Sequence, residues 1–336
     1  MKNRVKKIAL IITILLSAEI TFSISTSAEK IYPLELQQTI TVDKNGKGDY
    51  ASIQEAIDNS IEGSIIYVKT GEYPEIINVD KKMSLIGENK DNTIINPIST
   101  KNKYAIRLGA SDVTLKGFSI TNGAPGLYTQ AIRISSPDTE IQDCNIHDTP
   151  VGIVIWTSNN IVDNCEFWGC EDEGIALIGT TYTECNNNKI TSCLFYENCD
   201  GIELQRSSNN IIQNCDFYDN THSGIDAIVS SNNQNIIIDC RIYDNEVHGI
   251  FLSSSSDNLI KNCIISNNDD GNVITAKNSE NNVIEYGTKL GLTDKQESSI
   301  KSRISLLRTN IISRLMDILS KFNTWELLSN FISYNF

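Results

Sequence analysis

Short apolar stretches alternate along this chain with clusters of Asn, Asp, Ser and Gly. Two phrases recur: Asn-x-x-x-x-Asn-Cys-x-Phe, in which Asp or Ser sometimes replaces an Asn, and Gly-Ile-x-Leu. The first phrase surrounds Cys144, Cys165, Cys193, Cys215, Cys240 and Cys263. Successive glycines of the second phrase lie 22, 27, 23 and 25 residues apart. A repeat of this length is typical of a solenoid built from stacked units.

The apolar stretches are too short for helices and are bounded by turn residues, which predicts strands. The dense leucine pattern of leucine-rich repeats is missing. The sequence therefore predicts an all-β fold, a right-handed parallel β-helix in which each repeat forms one coil. Equivalent residues then stack about 4.8 Å apart in neighbouring coils. The hand follows from the right-handed preference of parallel crossovers.

The segment before the repeats follows a different pattern. Ser52, followed by Glu55 and then an apolar pair, is a capping-box start for a short helix. Residues 40–80 are predicted to form an N-terminal cap whose helix covers the first coil, and residues 81–287 to form the β-helix repeats. A solenoid needs such caps because its end coils otherwise expose apolar surface.

The cysteines of the first phrase occupy one register. We expect them to point inward and stack as a row of buried thiols, since free Cys is among the most buried residue types. Nine cysteines in total leave at least one unpaired. Outside the row, adjacent coils would allow a Cys170–Cys199 disulfide, and the pairing of Cys185 stays open. Turn asparagines such as Asn164 and Asn214 are expected to form a second row of side-chain hydrogen bonds.

Both ends of the chain differ from the body. Residues 1–28 combine basic residues, an apolar run and a small-residue site ending at Ala28, which predicts a signal peptide and a secreted or cell-surface protein. A membrane anchor is the weaker alternative because Glu19 interrupts a run that is already short. Residues 295–336 repeat apolar positions at helical spacing and carry basic residues, which predicts an amphipathic C-terminal helix. That helix either caps the last coil or contacts a membrane or partner protein.

The net charge limits the partners. A formal charge of −14, concentrated outside the basic tail, argues against nucleic acid as a partner. An acidic polysaccharide remains compatible, because a bound cation such as Ca²⁺ can bridge two negative partners.

The stretches "TVDKNGKGDYASIQEAID" and "VTLKGFSITN", together with the Gly-Ile-x-Leu repeats, resemble exported right-handed β-helix proteins. These are the NosD-like proteins and the carbohydrate-binding and sugar-hydrolase repeats of the pectin-lyase-like superfamily. The opening also resembles pectin methylesterases, but the QDTL, DFIFG and LGRPW signatures of that family do not occur in the chain. The resemblance implies a β-helix that binds or processes polysaccharide, and it does not fix the reaction.

The third position of Gly-Ile-x-Leu is predicted to face outward, because the Ile and Leu on either side point into the coil. This outward row contains Val154, Ala176, Glu203, Asp226 and Phe251. Near the two acids of the row lie Asp172, Glu173, Asp200, Arg206, His222 and His248, and Trp156 follows on the same face.

Two acids in neighbouring coils repel each other, so Glu203 and Asp226 are predicted either to bind Ca²⁺ or to share a proton. With His222 and His248 as proton carriers, these acids are the candidate catalytic residues of a uronate lyase or epimerase. Glycoside hydrolysis by the acid pair is the enzymatic alternative. Substrate binding is assigned to Trp156, Glu173, Asp200, Arg206 and Phe251, with Trp156 as a platform for a sugar ring.

Two non-catalytic hypotheses remain. The acids could be a solvated face on a surface adhesin or structural module. A copper accessory role of the NosD type is less favoured, because copper delivery needs exposed Met, His or thiolate clusters and the chain has three Met.

Overall fold

The computed structural model describes residues 37–97, 103–126, 129–229, 231–276 and 278–287. The predicted signal peptide and the predicted C-terminal helix lie outside these residues. Across the described residues, no helix is long and apolar enough to cross a membrane.

Three parallel sheets run along the solenoid, and we name them A, B and C. Sheet A contains β1 (Thr39–Val42), β2 (Ser64–Val68), β5 (Met83–Gly87), β8 (Val113–Lys116), β11 (Glu140–Gln142), β14 (Ile161–Asp163), β17 (Lys189–Thr191), β20 (Ile211–Gln213), β23 (Ile236–Ile238), β26 (Leu259–Ser266) and β28 (Val283–Tyr286). Sheet B contains β3 (Gly71–Tyr73), β6 (Thr93–Ile95), β9 (Ser119–Ile120), β12 (Asn145–His147), β15 (Glu166–Trp168), β18 (Leu194–Tyr196), β21 (Asp216–Tyr218), β24 (Arg241–Tyr243) and the end of β26. Sheet C contains β4 (Ile77–Val79), β7 (Tyr104–Leu108), β10 (Gln130–Ile134), β13 (Val151–Ile155), β16 (Glu173–Ile178), β19 (Asp200–Gln205), β22 (Ser223–Ile228), β25 (His248–Leu252) and β27 (Gly271–Thr275).

The predicted β-helix is confirmed, and its register follows the repeat. Ile202 pairs with Ile225, and Ile225 pairs with Ile250, so equivalent residues of the Gly-Ile-x-Leu phrase stack from coil to coil. These isoleucines are fully buried in one continuous core. Alternation along the strand therefore sends the Ile and Leu inward, as predicted.

The glycine before each isoleucine is required by close packing. A Cβ atom on Gly201 would lie 2.5 Å from the carbonyl oxygen of Gly224 in the next coil. No side chain fits at that distance, and the phrase therefore begins with glycine.

A short helix, α1 (Ile53–Asn59), follows β1 and buries three apolar side chains against the first strands. Its N-cap is Ser52, whose side chain accepts the Glu55 N–H at 3.2 Å. The Glu75 carboxylate also accepts the N–H groups of Ile53 and Gln54, at 2.8 and 3.0 Å. The predicted helix start is confirmed, whereas capping of the solenoid by α1 stays a prediction. Residues 40–80 also contribute strands to all three sheets.

The six cysteines of the repeat phrase are buried in one row, as predicted. All nine cysteines of the chain lie within the described residues and are free thiols. The predicted Cys170–Cys199 disulfide is therefore wrong in this structure. Cys199 lies one coil beyond Cys170, and the two are joined by a backbone bond, with the Cys199 N–H donating to the Cys170 carbonyl at 3.1 Å.

The predicted turn asparagines do make side-chain hydrogen bonds between neighbouring coils, but in separate pairs, and the continuous rows use other asparagines. Asn164 and Asn214 adopt left-handed turns, with φ of 53° and 54°, and their side chains bond only to the turn of the preceding coil. The continuous rows contain asparagines at other positions of each coil. Their members are Asn160, Asn188, Asn210, Asn235, Asn258 and Asn282 in one row, and Asn198, Asn220, Asn245 and Asn268 in the other. Each side chain accepts and donates hydrogen bonds across coils, so these buried amides are satisfied.

Candidate functional site

The outward row of sheet C brings the predicted acids together. Glu203 of β19 pairs in register with Asp226 of β22. Ala176 lies one coil before Glu203, and Phe251 lies one coil after Asp226. The predicted stacking of the two acids on one face is therefore confirmed.

These acids are buried, which the sequence did not predict. The exposed fraction is 7% for Glu173 and Glu203 and 5% for Asp200 and Asp226. A solvated acidic face is thus the wrong description of this cluster. Buried carboxylates need hydrogen-bond donors, protons or a cation, since an unpaired buried charge is costly.

Three of the predicted residues have donor atoms that converge. One oxygen or nitrogen from each of Asp200, His222 and Asp226 lies within 4.8 Å of the other two. His222 Nδ1 lies 2.8 Å from Asp200 Oδ1 and 3.9 Å from Asp226 Oδ2. The Ser223 N–H donates to the same Asp200 oxygen at 2.8 Å, which fixes that carboxylate. Asp200, the first residue of β19, thereby contacts His222, the residue just before β22.

The remaining polar atoms of the cluster differ in how they are satisfied. Glu203 accepts a hydrogen bond from the side-chain amide of Gln205, two residues along the same strand. Asp226 Oδ1 and His248 Nδ1 are buried atoms without a hydrogen-bond partner among the described residues. The predicted metal pair, Glu203 and Asp226, therefore differs from the converging group, in which Asp200 and His222 accompany Asp226.

The electrostatics of the acids reflect this crowding. Burial, followed by the negative charges of Glu203 and Asp172, raises the pKa of Glu173 to about 9. Burial, followed by the charge of Asp200, raises the pKa of Asp226 to about 7 against a partial offset from the nearby imidazole. Burial also raises the pKa of Asp200. Three acids of one cluster thus favour the protonated form relative to an ordinary carboxyl group.

The pKa values of the two histidines shift in opposite directions. Burial lowers the pKa of His222, but the hydrogen bond and charge of Asp200 outweigh burial, so the net shift is upward. Burial and the charge of His222 lower the pKa of His248. The rings meet edge to face with centroids 6.1 Å apart, and the His248 ring also stacks on Phe251 at 4.9 Å.

The other predicted binding residues lie at the margin of the cluster. Trp156 follows β13 and packs on an outward apolar group that contains Val154 and Ala176. Arg206 is exposed in a left-handed turn directly after β19, with φ of 47°. Asp172, immediately before β16, is one of the charges that raises the pKa of Glu173.

A second group of chemically active side chains escaped the sequence analysis. The chain's third histidine, His147 on sheet B, contacts Ser119 and Asp148. An aromatic row of stacked rings also begins at His147 on the outer face of this sheet. The dipeptide His147-Asp148 can be recognised in the sequence, but Ser119, the serine that contacts His147, lies 28 residues before it.

The sequence profile described as the right handed beta helix region matches residues 84–233 and 186–293. The chain belongs to the right-handed β-helix family. This family agrees with the β-helix that the resemblance of the repeats implied.

Two similar proteins of known name each match a part of this chain. A protein of Arabidopsis thaliana named "Probable pectinesterase 56" is 26% identical over 149 residues, which are 40% of this β-helix protein and 52% of the relative. A cell surface glycoprotein of Methanothermus fervidus is 36% identical over 90 residues, which are 26% of this chain and 15% of the glycoprotein. The chain therefore spans about half of the plant relative and less of the glycoprotein.

Among solved structures, a rhamnogalacturonan lyase matches with a TM-score of 0.60 and 14% identity. The match covers 76% of this chain and 90% of the lyase chain. At this level of identity the likeness shows the fold alone.

Proposed function

We propose that this β-helix protein is secreted or surface-exposed and processes an acidic polysaccharide at the buried acids of sheet C. The observation that carries the proposal is the convergence of Asp200, His222 and Asp226, in which one buried carboxylate oxygen has no partner among the residues that the structure describes. The partial similarity to a pectinesterase supports polysaccharide as the substrate class, and the likeness to a rhamnogalacturonan lyase supports the β-helix as its scaffold.

A divalent cation is the partner that fits the cluster best. Buried carboxylates around one point repel each other, and a cation relieves that repulsion while satisfying Asp226 Oδ1. Ca²⁺ takes oxygen ligands and suits a site shared with uronate carboxylates. Because one of the three donors is an imidazole, Mn²⁺ and Zn²⁺ also fit the donor set.

The reaction proposed is proton removal from C5 of a uronate, leading to β-elimination or epimerisation. A cation held by Asp200, His222 and Asp226 would neutralise the substrate carboxylate and thereby make the C5 proton more acidic. We assign His248 as the base, because its side chain is partly exposed and its lowered pKa favours the neutral imidazole that can accept a proton. Phe251 holds the His248 ring by stacking, and Trp156 offers an aromatic surface further along sheet C.

The test is a panel of uronate and neutral polysaccharides incubated with the protein, with Ca²⁺, Mn²⁺ or Zn²⁺ added singly or with a chelator. Unsaturated products absorbing at 235 nm support elimination, and exchange of the C5 proton measured by NMR supports epimerisation. Absence of both products on every polymer and with every cation contradicts the catalytic proposal.

A non-catalytic surface module is the second candidate. The similarity to a cell surface glycoprotein favours it, because the 36% identity exceeds that to the plant relative. Retention of a polysaccharide in the same panel without any product supports this alternative.

A further inference from the structure

A second constellation lies on the outer face of sheet B, away from the row of sheet C. Ser119 belongs to β9, and its register partner in the next coil is Asn145 of β12. His147 follows two residues along β12, on the same face, so its ring lies diagonally across from the serine. Asp148 comes directly after β12 in the turn.

The three side chains are hydrogen-bonded in series. Ser119 Oγ lies 2.8 Å from His147 Nε2, and His147 Nδ1 lies 2.7 Å from Asp148 Oδ2. A carboxylate on Nδ1 keeps the proton on that nitrogen, which leaves Nε2 free to accept the serine proton. The order of serine, imidazole and carboxylate, and the nitrogens used, are those of a nucleophilic triad.

The surroundings hold this geometry in place. Asp148 has a left-handed backbone with φ of 48°, and its carbonyl accepts the Thr121 hydroxyl at 2.9 Å. The His147 ring stacks on Trp168 with centroids 4.4 Å apart and an interplanar angle of 1°. Ser119 is 6% exposed, so its hydroxyl is largely shielded from bulk water. The imidazole is thus fixed by contacts on its face and on both nitrogens.

The side chains next to these three residues favour a substrate that is attached to a sugar. From Trp168 the stacked row continues through Tyr196, Tyr218 and Tyr243, with centroid spacings of 5.9, 5.2 and 5.4 Å. Aromatic rings with a polar tip suit carbohydrate, which offers both apolar faces and hydroxyls. Asn145 Oδ1 is a buried acceptor without a partner within the described residues, and it adjoins Ser119 in register.

We propose that Ser119, His147 and Asp148 form an esterase site that removes acyl groups esterified to polysaccharide hydroxyls. His147 Nε2 takes the hydroxyl proton as Ser119 Oγ bonds to the ester carbonyl carbon. The bond from that carbon to the sugar oxygen then breaks, and the sugar oxygen leaves with the proton from Nε2. Water repeats the sequence on the acyl-serine, giving a carboxylic acid and free Ser119, so that one ester and one water yield one acid and one alcohol.

This site shares no residue with the sheet C cluster, and its activity does not rest on the proposed uronate chemistry. Ester removal and uronate cleavage act on different bonds of the same class of polymer. The two proposals can therefore fail separately.

The first test is covalent labelling of the full-length protein with a fluorophosphonate probe, followed by mass spectrometry of the modified peptide. Modification of Ser119 is the expected result. Ser84→Ala is the control, since Ser84 is a partly exposed serine of strand β5 on sheet A. A folded wild-type protein that leaves Ser119 unlabelled overturns the proposal.

The second test is hydrolysis of p-nitrophenyl acetate and of an acetylated polysaccharide. Ser119→Ala and His147→Gln should each lower kcat by at least about 100-fold, as expected for a nucleophile and its base. Asp148→Asn should lower kcat with little change in KM and alter the pH profile, because Asp148 acts by positioning the imidazole. Asp138→Asn, at an exposed acid outside both proposed sites, should leave this hydrolysis unchanged. Equal rates for wild type and Ser119→Ala, with circular dichroism matching, would show that the contact is structural.

Discussion

Sheets B and C stack their strands at the same spacing, but their outer rows differ in how polar groups are satisfied. On sheet B, the acid Asp148 lies against His147, and the next positions of the row are aromatic rings stacked on one another. On sheet C, the carboxyl groups of Glu203 and Asp226 are neighbours, and one oxygen of Asp226 is unpartnered in the described structure. On sheet B, His147 is hydrogen-bonded through both ring nitrogens, and the unpartnered buried atom described there is the uncharged amide oxygen of Asn145. On sheet C, one imidazole, His222, lies among several buried acids, and Asp226 Oδ1 stays without a partner among the described residues, which is why we place cation binding there.

The largest effect is expected from Asp226→Asn. The amide keeps the size of the side chain but removes one charged ligand, so cation binding and turnover of an acidic polysaccharide should fall by about 100-fold or more. The measurements are cation titration by calorimetry and product formation at 235 nm.

Asp138→Asn is the matched control, because Asp138 is an exposed acid with φ of 59°, which asparagine tolerates. Equal loss in both variants would mean a general effect of charge. Full activity of Asp226→Asn would remove the cluster from the mechanism.

The second prediction concerns pH and cations. The pKa of Asp226 rises from 3.8 to about 7, and that of Glu173 from 4.5 to about 9. The folded protein therefore binds more protons than the unfolded chain between these values, and stability falls as pH rises from about 4 to about 9. For Asp226 the loss should be roughly 2 to 4 kcal/mol in the absence of cations.

Thermal unfolding across this pH range, with a chelator or with a divalent cation, checks the second prediction. Added cation should raise the melting temperature most at high pH, where the carboxyl groups are ionised. Asp226→Asn should make the melting temperature fall less steeply as the pH rises toward 7. A melting temperature that rises with pH in the chelated protein would contradict the assigned shifts.

Much of the fold could be predicted from sequence, because every coil repeats the same pattern of inward and outward residues. Each Gly-Ile-x-Leu phrase buries its Ile, as seen at Ile202 and Ile225, and leaves one outward position. The pairing of Glu203 with Asp226 follows from that repeat alone.

The candidate site could be predicted only in part. His222 precedes its strand, and its partner is Asp200 of the preceding coil, a contact that depends on how the turns between strands place each side chain. The burial of these acids could not be predicted either, because outward positions of a strand are ordinarily half exposed. Ser119 and His147 were missed since β9 has only two residues and lacks the cysteine phrase that marks later coils.

The third prediction tests the interior that both sheets share. Cys215→Ser replaces a fully buried thiol of the cysteine row. The Gln213 carbonyl, 3.3 Å from the sulfur, can accept the new hydroxyl, so we expect a loss of about 1 kcal/mol. Urea unfolding measures it. A loss near zero, or native labelling of Cys215 by a thiol reagent, would contradict its buried environment.

A loss of similar size is expected on sheet B, at the centre of the aromatic row. Tyr218 stacks between Tyr196 and Tyr243 with spacings of 5.2 and 5.4 Å, so Tyr218→Ala removes two ring contacts and should cost about 1 kcal/mol. Tyr218→Phe keeps both contacts and should leave stability unchanged while weakening any polysaccharide bound through the hydroxyl. Urea unfolding and polysaccharide retention separate the two roles of the ring. If Tyr218→Ala changes cation binding at sheet C, the two outer faces are coupled through the core, and their comparison as independent surfaces is wrong.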